Sequence, residues 1–297
     1  MRACISQVST LMNPFESDAA AYRNGGWSAV ELWLTKLETF LESHTVAEAA
    51  AVFASSGIVP VAAAGQGGLL LSRDAGHPIH WDHFRRRLDL LAELRIPTLI
   101  LAADAAPGGG ASWTPGADDL ARAAVALGEA GELAGSVGVR IALEFQKTSP
   151  ICACLETAVA MVAQCGSPNA GVCLDAFHFQ TGPSKLDDLE GLPAELIAAV
   201  QFCDLTGVTR ELAGDADRIL PGDGEIPLAS ILDRLDAIGY DGHVTLELLN
   251  PHLWRIPADR VADMGRQALA RVLAHRDNPG KEGGGRARAD AVHEGGP

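Results

Sequence analysis

Residues 171–179 read GVCLDAFHF. The apolar run Val172–Cys173–Leu174 stops at Asp175, and His178 follows three residues later. A short continuous apolar run suits a parallel strand covered on both faces. The acid and the imidazole at its end are either the polar start of a loop or groups delivered to a site at the strand's C-terminal end.

Seven other runs have the same character: Ala3–Val8, Ala29–Leu34, Ile58–Ala63, Thr98–Ala102, Arg140–Phe145, Ala199–Cys203 and His243–Leu248. None alternates apolar with polar in the manner of a half-exposed strand. Amphipathic segments lie between them, at Ser17–Asn24, Val46–Ser56, His80–Arg95, Ala117–Ser136, Leu155–Cys165, Asp187–Ala198, Leu228–Ile238 and Ala258–Ala274. In His80–Arg95 the residues Trp81, Phe84, Leu88, Leu91 and Leu94 recur every three or four positions and mark one helix face. Eight strand-then-helix units without a break predict a (β/α)8 TIM barrel over residues 1–274 as a single catalytic domain. An open doubly wound sheet is the alternative. It normally shows G-x-G-x-x-G after an early strand. Gly65–Gly68 and Gly108–Gly110 lack that spacing and read as loops. Residues 275–297 are Gly-rich and charged with no apolar period, which predicts a disordered C-terminal tail.

The 297 residues are 47% hydrophobic and 21% charged, enough apolar material for a sizeable core. A net charge of −15 argues against a nucleic-acid partner, because phosphate attraction needs a basic surface. No apolar stretch is long enough to span a bilayer, and the opening MRACISQVST lacks the apolar core of a signal peptide. Of the six cysteines, Cys173 and Cys203 sit inside apolar runs, and Cys152 and Cys154 lack the C-x-x-C spacing of a zinc or redox pair. They read as reduced thiols, which predicts a cytoplasmic location and no membrane partner. A homo-oligomer is compatible with such a chain.

In a TIM barrel the C-terminal strand ends and the loops after them build the site. Read in order, those ends carry Glu144, Asp175, Gln201 and Glu247. Their separations of 31, 26 and 46 residues keep them at matching heights on four consecutive strands. Three carboxylates and an amide oxygen aimed at one volume must take up protons or bind a cation. Oxygen donors suit Mg²⁺ or Mn²⁺ better than Zn²⁺ or Cu²⁺. The bland reading is that each acid caps a helix or pairs with an arginine on its own. His178 lies within reach of whatever binds at the end of its strand. Arg218 lies in the long loop after strand seven, whose Pro221–Gly224 stretch is turn chemistry. Glu31, Trp33 and Lys36 sit at the end of strand two, where Lys36 either steers a substrate or pairs with Glu38 or Glu42. Asn250 follows strand eight and is placed to line the mouth.

The stretches ALEF, GVCLDAFHF, RILPGDGEIPLASILDRLDAIGYDGHVTLEL and GGWSAVELWL resemble the xylose isomerase-like TIM barrels. The likeness covers about residues 3–274. It is closest to the sugar phosphate isomerase/epimerase group, which includes inosose dehydratases, keto-sugar epimerases and dehydroshikimate dehydratases. The resemblance implies one divalent ion, usually Mn²⁺, Mg²⁺ or Co²⁺, on Glu144, Asp175, Gln201 and Glu247. It implies substrate contact by His178 and Arg218. Two departures stand out. The family's usual His on strand seven is Gln201 here, as in the dehydroshikimate dehydratase branch. The second Glu that keto-sugar epimerases carry after strand five is absent from EFQKTSP.

The chemistry expected is proton abstraction beside a carbonyl of a sugar or keto-polyol, with Glu144 and Glu247 exchanging the proton and His178 assisting. Return of the proton gives an isomerase or epimerase, whereas loss of a β-hydroxyl gives a lyase. An endonuclease IV-like repair enzyme would need more histidine at the strand ends and a basic surface. A non-catalytic binding protein would lose the metal site.

Overall fold

A strand buried on both faces needs neighbours on both edges and helices outside, and a closed barrel supplies all of these. The computed structural model describes residues 1–72, 76–106 and 113–275. Its strands are β1 (Arg2–Ser6), β2 (Ala29–Trp33), β3 (Val59–Gln66), β4 (Thr98–Ala102), β5 (Arg140–Glu144), β6 (Ala170–Asp175), β7 (Ile197–Phe202) and β8 (His243–Leu246). They pair in parallel, in chain order, and β8 closes on β1. Around them stand α1 (Phe15–Asn24), α2 (Leu34–Leu41), α3 (Val46–Ser56), α4 (Gly76–Leu94), α5 (Ala117–Ser136), α6 (Leu155–Cys165), α7 (Ala176–Thr181), α8 (Leu228–Ala237) and α9 (Ala258–His275).

The main core lies between strands and helices. Inside the barrel, a separate small cluster of Ala64, Ile100, Ala142, Cys173 and Ala199 forms a thin apolar layer. Short side chains at those inward positions leave room for the polar residues one step further along the same strands. Helix ends follow local chemistry. Thr45 and Glu48 form a reciprocal capping box that starts α3, and Gly57, in the left-handed region, ends it. No helix of the described residues is long and apolar enough to cross a membrane. All six cysteines are free thiols.

Three expectations need correction. The segment 187–198 is not a helix but two short 3-10 turns, Leu186–Leu189 and Ala194–Leu196, before β7 begins at Ile197. Gly191 at φ 71° and Pro193 interrupt the helical period between them. Two helices, α2 and α7, begin directly at strand ends with no loop between strand and helix. β3 extends to Gln66, so Gly65 closes a strand rather than opening a loop. Gly108–Gly110 and the tail beyond His275 lie outside the described residues.

Candidate metal centre

The aspartate that ends β6 does both jobs that its sequence position allowed. Its Oδ1 accepts the His178 backbone N–H at 2.7 Å and caps α7, so the spacing D-x-x-H is that of a helix N-cap and its third helical residue. Its Oδ2 accepts from Arg218 Nη1 at 2.7 Å. Glu144 is the last residue of β5, Gln201 pairs in register with Asp175, and Glu247 follows the end of β8. One donor atom each from Glu144, Asp175 and His178 lie within 4.8 Å of one another. Glu247 joins them through Arg218, whose Nη1 also donates to Glu247 Oε2 at 3.0 Å. It joins Gln201 as well, whose Nε2 donates to Glu247 Oε1 at 2.9 Å. All six of these polar residues, Arg218 included, are buried. Asp175 and Glu247 therefore share Arg218 and do not each hold a cation of their own.

Arg218 is the central cation. It is 1% exposed, donates to Asp175, Glu247 and Asp215, and lies 4.4 Å above the Phe177 ring. Burial works against its charge, but the carboxylates around it prevail and raise its pKa. Its backbone is held on both sides. Asp204 and Ile219 exchange N–H···O bonds of 2.9 Å, and Asn250 Nδ2 donates to the Arg218 carbonyl at 2.9 Å. Asp204 also accepts from the amides of Leu205, Gly222 and Ile226, which folds the Pro221–Gly224 turn against β7.

Burial and neighbours drive the acids apart in character. Burial, aided by the Asp175 charge, raises Glu144 well above the usual carboxylate range. Burial likewise raises Glu247, with Arg218 opposing but not prevailing. Burial would raise Asp175 too, yet Arg218 against it holds it below its ordinary value. Burial lowers His178 to about 4, so its imidazole is neutral at neutral pH and its approach of 3.6 Å to Glu144 is not an ion pair. His178 Nδ1 faces the Lys147 amide at 3.5 Å, which leaves Nε2 toward Glu144 and Arg218.

This donor set fits a divalent cation. Glu144, Asp175 and Glu247, together with buried Glu31, outnumber Arg218, the cation buried among them, and a metal charge would let the raised carboxyls ionise. The orphaned Glu31 Oε2 and Ser6 Oγ, register neighbours on β2 and β1, are buried without a hydrogen bond, a further sign of unsatisfied oxygen in the barrel.

Other expected residues fall elsewhere. Lys36 Nζ is taken by Asp18 at 2.5 Å and by the Thr10 carbonyl at 2.9 Å. Its partner is therefore neither Glu38 nor Glu42, because Glu38 holds Arg87 and His83. Asn250 spends its amide on the Arg218 carbonyl and the His252 N–H, so it braces the loop. Trp33 is half-buried at the end of β2, with its backbone N–H on Gln7 Oε1. Lys147 ties the loop after β5 to the loop after β7, donating to the carbonyls of Arg210, Glu211 and Ala213. Glu31, placed by the sequence at the end of strand two but given no role there, accepts from Gln201 Nε2 at 3.0 Å. An acid in the middle of the otherwise apolar strand AVELW was the available signal.

Known proteins agree with this architecture. The family model for the xylose isomerase-like TIM barrel matches residues 19–272. The inosose isomerase of Halalkalibacterium halodurans is 27% identical over 279 residues, covering 92% of this chain and 97% of that protein. The 3-dehydroshikimate dehydratase of Pseudomonas putida is 28% identical over 141 residues, 47% of this chain but only 22% of that protein. A solved structure of the IolI protein with a bound zinc atom superposes with a TM-score of 0.85 at 23% identity, covering 92% of this chain and 98% of that one, a likeness of fold. With most of its length matched and its barrel closed in the same order, the chain belongs to the xylose isomerase-like TIM barrel family.

Proposed function

We propose that this protein is a divalent-metal-dependent isomerase or epimerase of a sugar or keto-polyol. The observation that carries the reading is the pair of raised carboxyls, Glu144 and Glu247, at the two ends of a four-strand arc with ionised Asp175 between them. The inosose isomerase likeness, which spans nearly the whole of both chains, supports the substrate class. Glu144, Asp175, Gln201 and Glu247 would hold the ion, with Mn²⁺ or Mg²⁺ the ions best suited to oxygen donors. When bound, such an ion supplies Lewis-acid polarisation of the substrate carbonyl.

The chain's own groups do the rest. Glu144 takes a proton from the carbon beside the carbonyl, and Glu247, three strands away, delivers one. A carboxyl whose burial raises its pKa holds a proton more readily than an exposed one, which suits the delivering side of that exchange. Neutral His178 offers a hydrogen bond to a substrate oxygen without adding charge. Arg218 keeps Asp175 ionised and offsets the surplus of acids. Its donors are already spent on three carboxylates, so direct contact with substrate requires one of these bonds to be exchanged.

A second reading is a lyase acting on a cyclic keto-polyol. Gln201 at the strand-seven position and the partial likeness to a 3-dehydroshikimate dehydratase favour it. The test is to incubate metal-loaded protein with inososes and ketoses in D2O and follow deuterium at the carbon beside the carbonyl by NMR. Exchange with conversion to an isomeric ketone is expected. Loss of water from an inosose or from dehydroshikimate, without an isomeric product, moves the assignment to the lyase.

A further inference from the structure

The guanidinium of Arg218 has two edges, and they meet different partners. Nη1 donates to Asp175 Oδ2 at 2.7 Å and to Glu247 Oε2 at 3.0 Å, and both acids are buried. The other edge, Nη2 and Nε, meets a single oxygen, Asp215 Oδ1, at 3.1 Å and 3.2 Å. His178 Nε2 stands 3.4 Å from the same Nη2. Asp215 opens the 3-10 turn Asp215–Asp217 in the loop after β7, and its side chain is 49% exposed. Among the described residues Arg218 is the partner of its carboxylate. The two edges differ in what release costs. Taking Arg218 from Asp175 or Glu247 leaves a buried charge without its partner. Asp215 can turn to water, and an exposed ion pair of this kind changes an equilibrium by about fivefold at most. When Arg218 reaches a substrate, the Asp215 bond is therefore the one that opens. One oxygen astride Nη2 and Nε is also an arrangement that a hydroxyl or carbonyl oxygen can repeat, with His178 Nε2 beside it.

We propose that Asp215 is a specificity-determining residue: its carboxylate fills the Nη2–Nε edge of Arg218, yields that edge to a neutral oxygen of the substrate, and keeps small anions off it. This rests on the reading of Arg218 as a substrate contact. Discrimination against a competitor comes from a repulsive group as much as from an attractive one, and the Asp215 charge is the repulsive group here.

The test uses the full-length, metal-loaded chain, an inosose or ketose that it converts, and acetate as the anionic probe. In Asp215→Ala the edge has no occupant to displace, so KM is expected to fall by about 2–5-fold and kcat/KM to rise by the same factor. Acetate is expected to inhibit this variant competitively at concentrations that leave the wild type unaffected. Acetate binding is also followed without turnover, through the Arg218 Nε–H resonance of 15N-labelled protein, which is expected to shift in Asp215→Ala and not in the wild type. Should Asp215→Ala fail to fold, Asp215→Asn, which keeps an oxygen acceptor without the charge, enters the same comparison with the same direction of change. A raised or unchanged KM in the variant, or an equal response of both proteins to acetate, overturns the proposal and leaves the isomerase reading standing. A wild-type chain that converts neither inososes nor ketoses overturns that reading instead, and the acetate shift at Arg218 then decides the proposal by itself.

Discussion

Replacing Arg218 with methionine removes the one buried cation among the acids and keeps the flexible apolar stem over Phe177. In the folded protein Arg218 pairs with Asp175 at 2.7 Å and with Glu247 at 3.0 Å, both buried, and with Asp215 at 3.1 Å, which is half-exposed. The Asp215 pair is worth at most about 1 kcal/mol. Stripping the partner from buried carboxylates costs about 3–5 kcal/mol. For a domain of this size each kcal/mol shifts Tm by about 2–4 °C, so the expected drop is roughly 6–20 °C at neutral pH in the presence of chelator. The sign of the pH dependence follows from Asp175. Arg218 holds its folded pKa below the unfolded value, so its contribution to stability is present above the unfolded pKa and is lost as pH falls through the folded one. Deleting Arg218 removes that contribution. The gap in Tm between wild type and variant is therefore widest at neutral pH and narrows as the acids become protonated. Scanning calorimetry of both proteins from neutral to strongly acid pH checks this. A gap of less than about 2 °C at neutral pH, or one that stays constant with pH, would show that Arg218 is not what balances these acids.

Asp175→Ala is expected to abolish uptake of the divalent ion and, through loss of the α7 cap, to cost a further ~1 kcal/mol; elemental analysis and chemical denaturation separate the two effects, and equal metal content in both proteins counts against the site. Gly224→Ala places a Cβ 2.3 Å from Asp204 Oδ1 and 2.5 Å from the Leu205 carbonyl. It is expected to destabilise by about 1–3 kcal/mol and to lower turnover by shifting Asp204 and the loop segment that carries Arg218, as urea unfolding and kinetics will show. Removal of residues 276–297 is expected to leave Tm and oligomeric size unchanged, because β8 closes the barrel on β1 within the residues before them; a lower Tm or a different elution volume refutes this.

Much of the barrel is readable along the chain. A strand such as AGVCLD, buried at every position, is apolar up to its final Asp175, so the run itself reports the fold. The strand-end acids are readable for the same reason: a charged residue at the end of such a run has nowhere to go but the barrel mouth or a helix cap. Reading fails where two signals merge or a breaker is outvoted. Leu34–Leu41 follows β2 without an intervening turn residue to mark the boundary. In 187–198 a single Gly and Pro defeat a plausible helical period.

Partners are a different matter. That β5, β6, β7 and β8 each carry a polar group at one height is local information, repeated four times. That Lys36 belongs to Asp18 rather than to its near neighbours, that Asn250 braces the Arg218 backbone, and that Glu31 meets Gln201 from 170 residues away are not local at all. Periodicity records which face of an element is buried. It carries nothing about which other element arrives at that face, and only closing the barrel, with β1 hydrogen-bonded to both β2 and β8, brings those side chains within bonding distance.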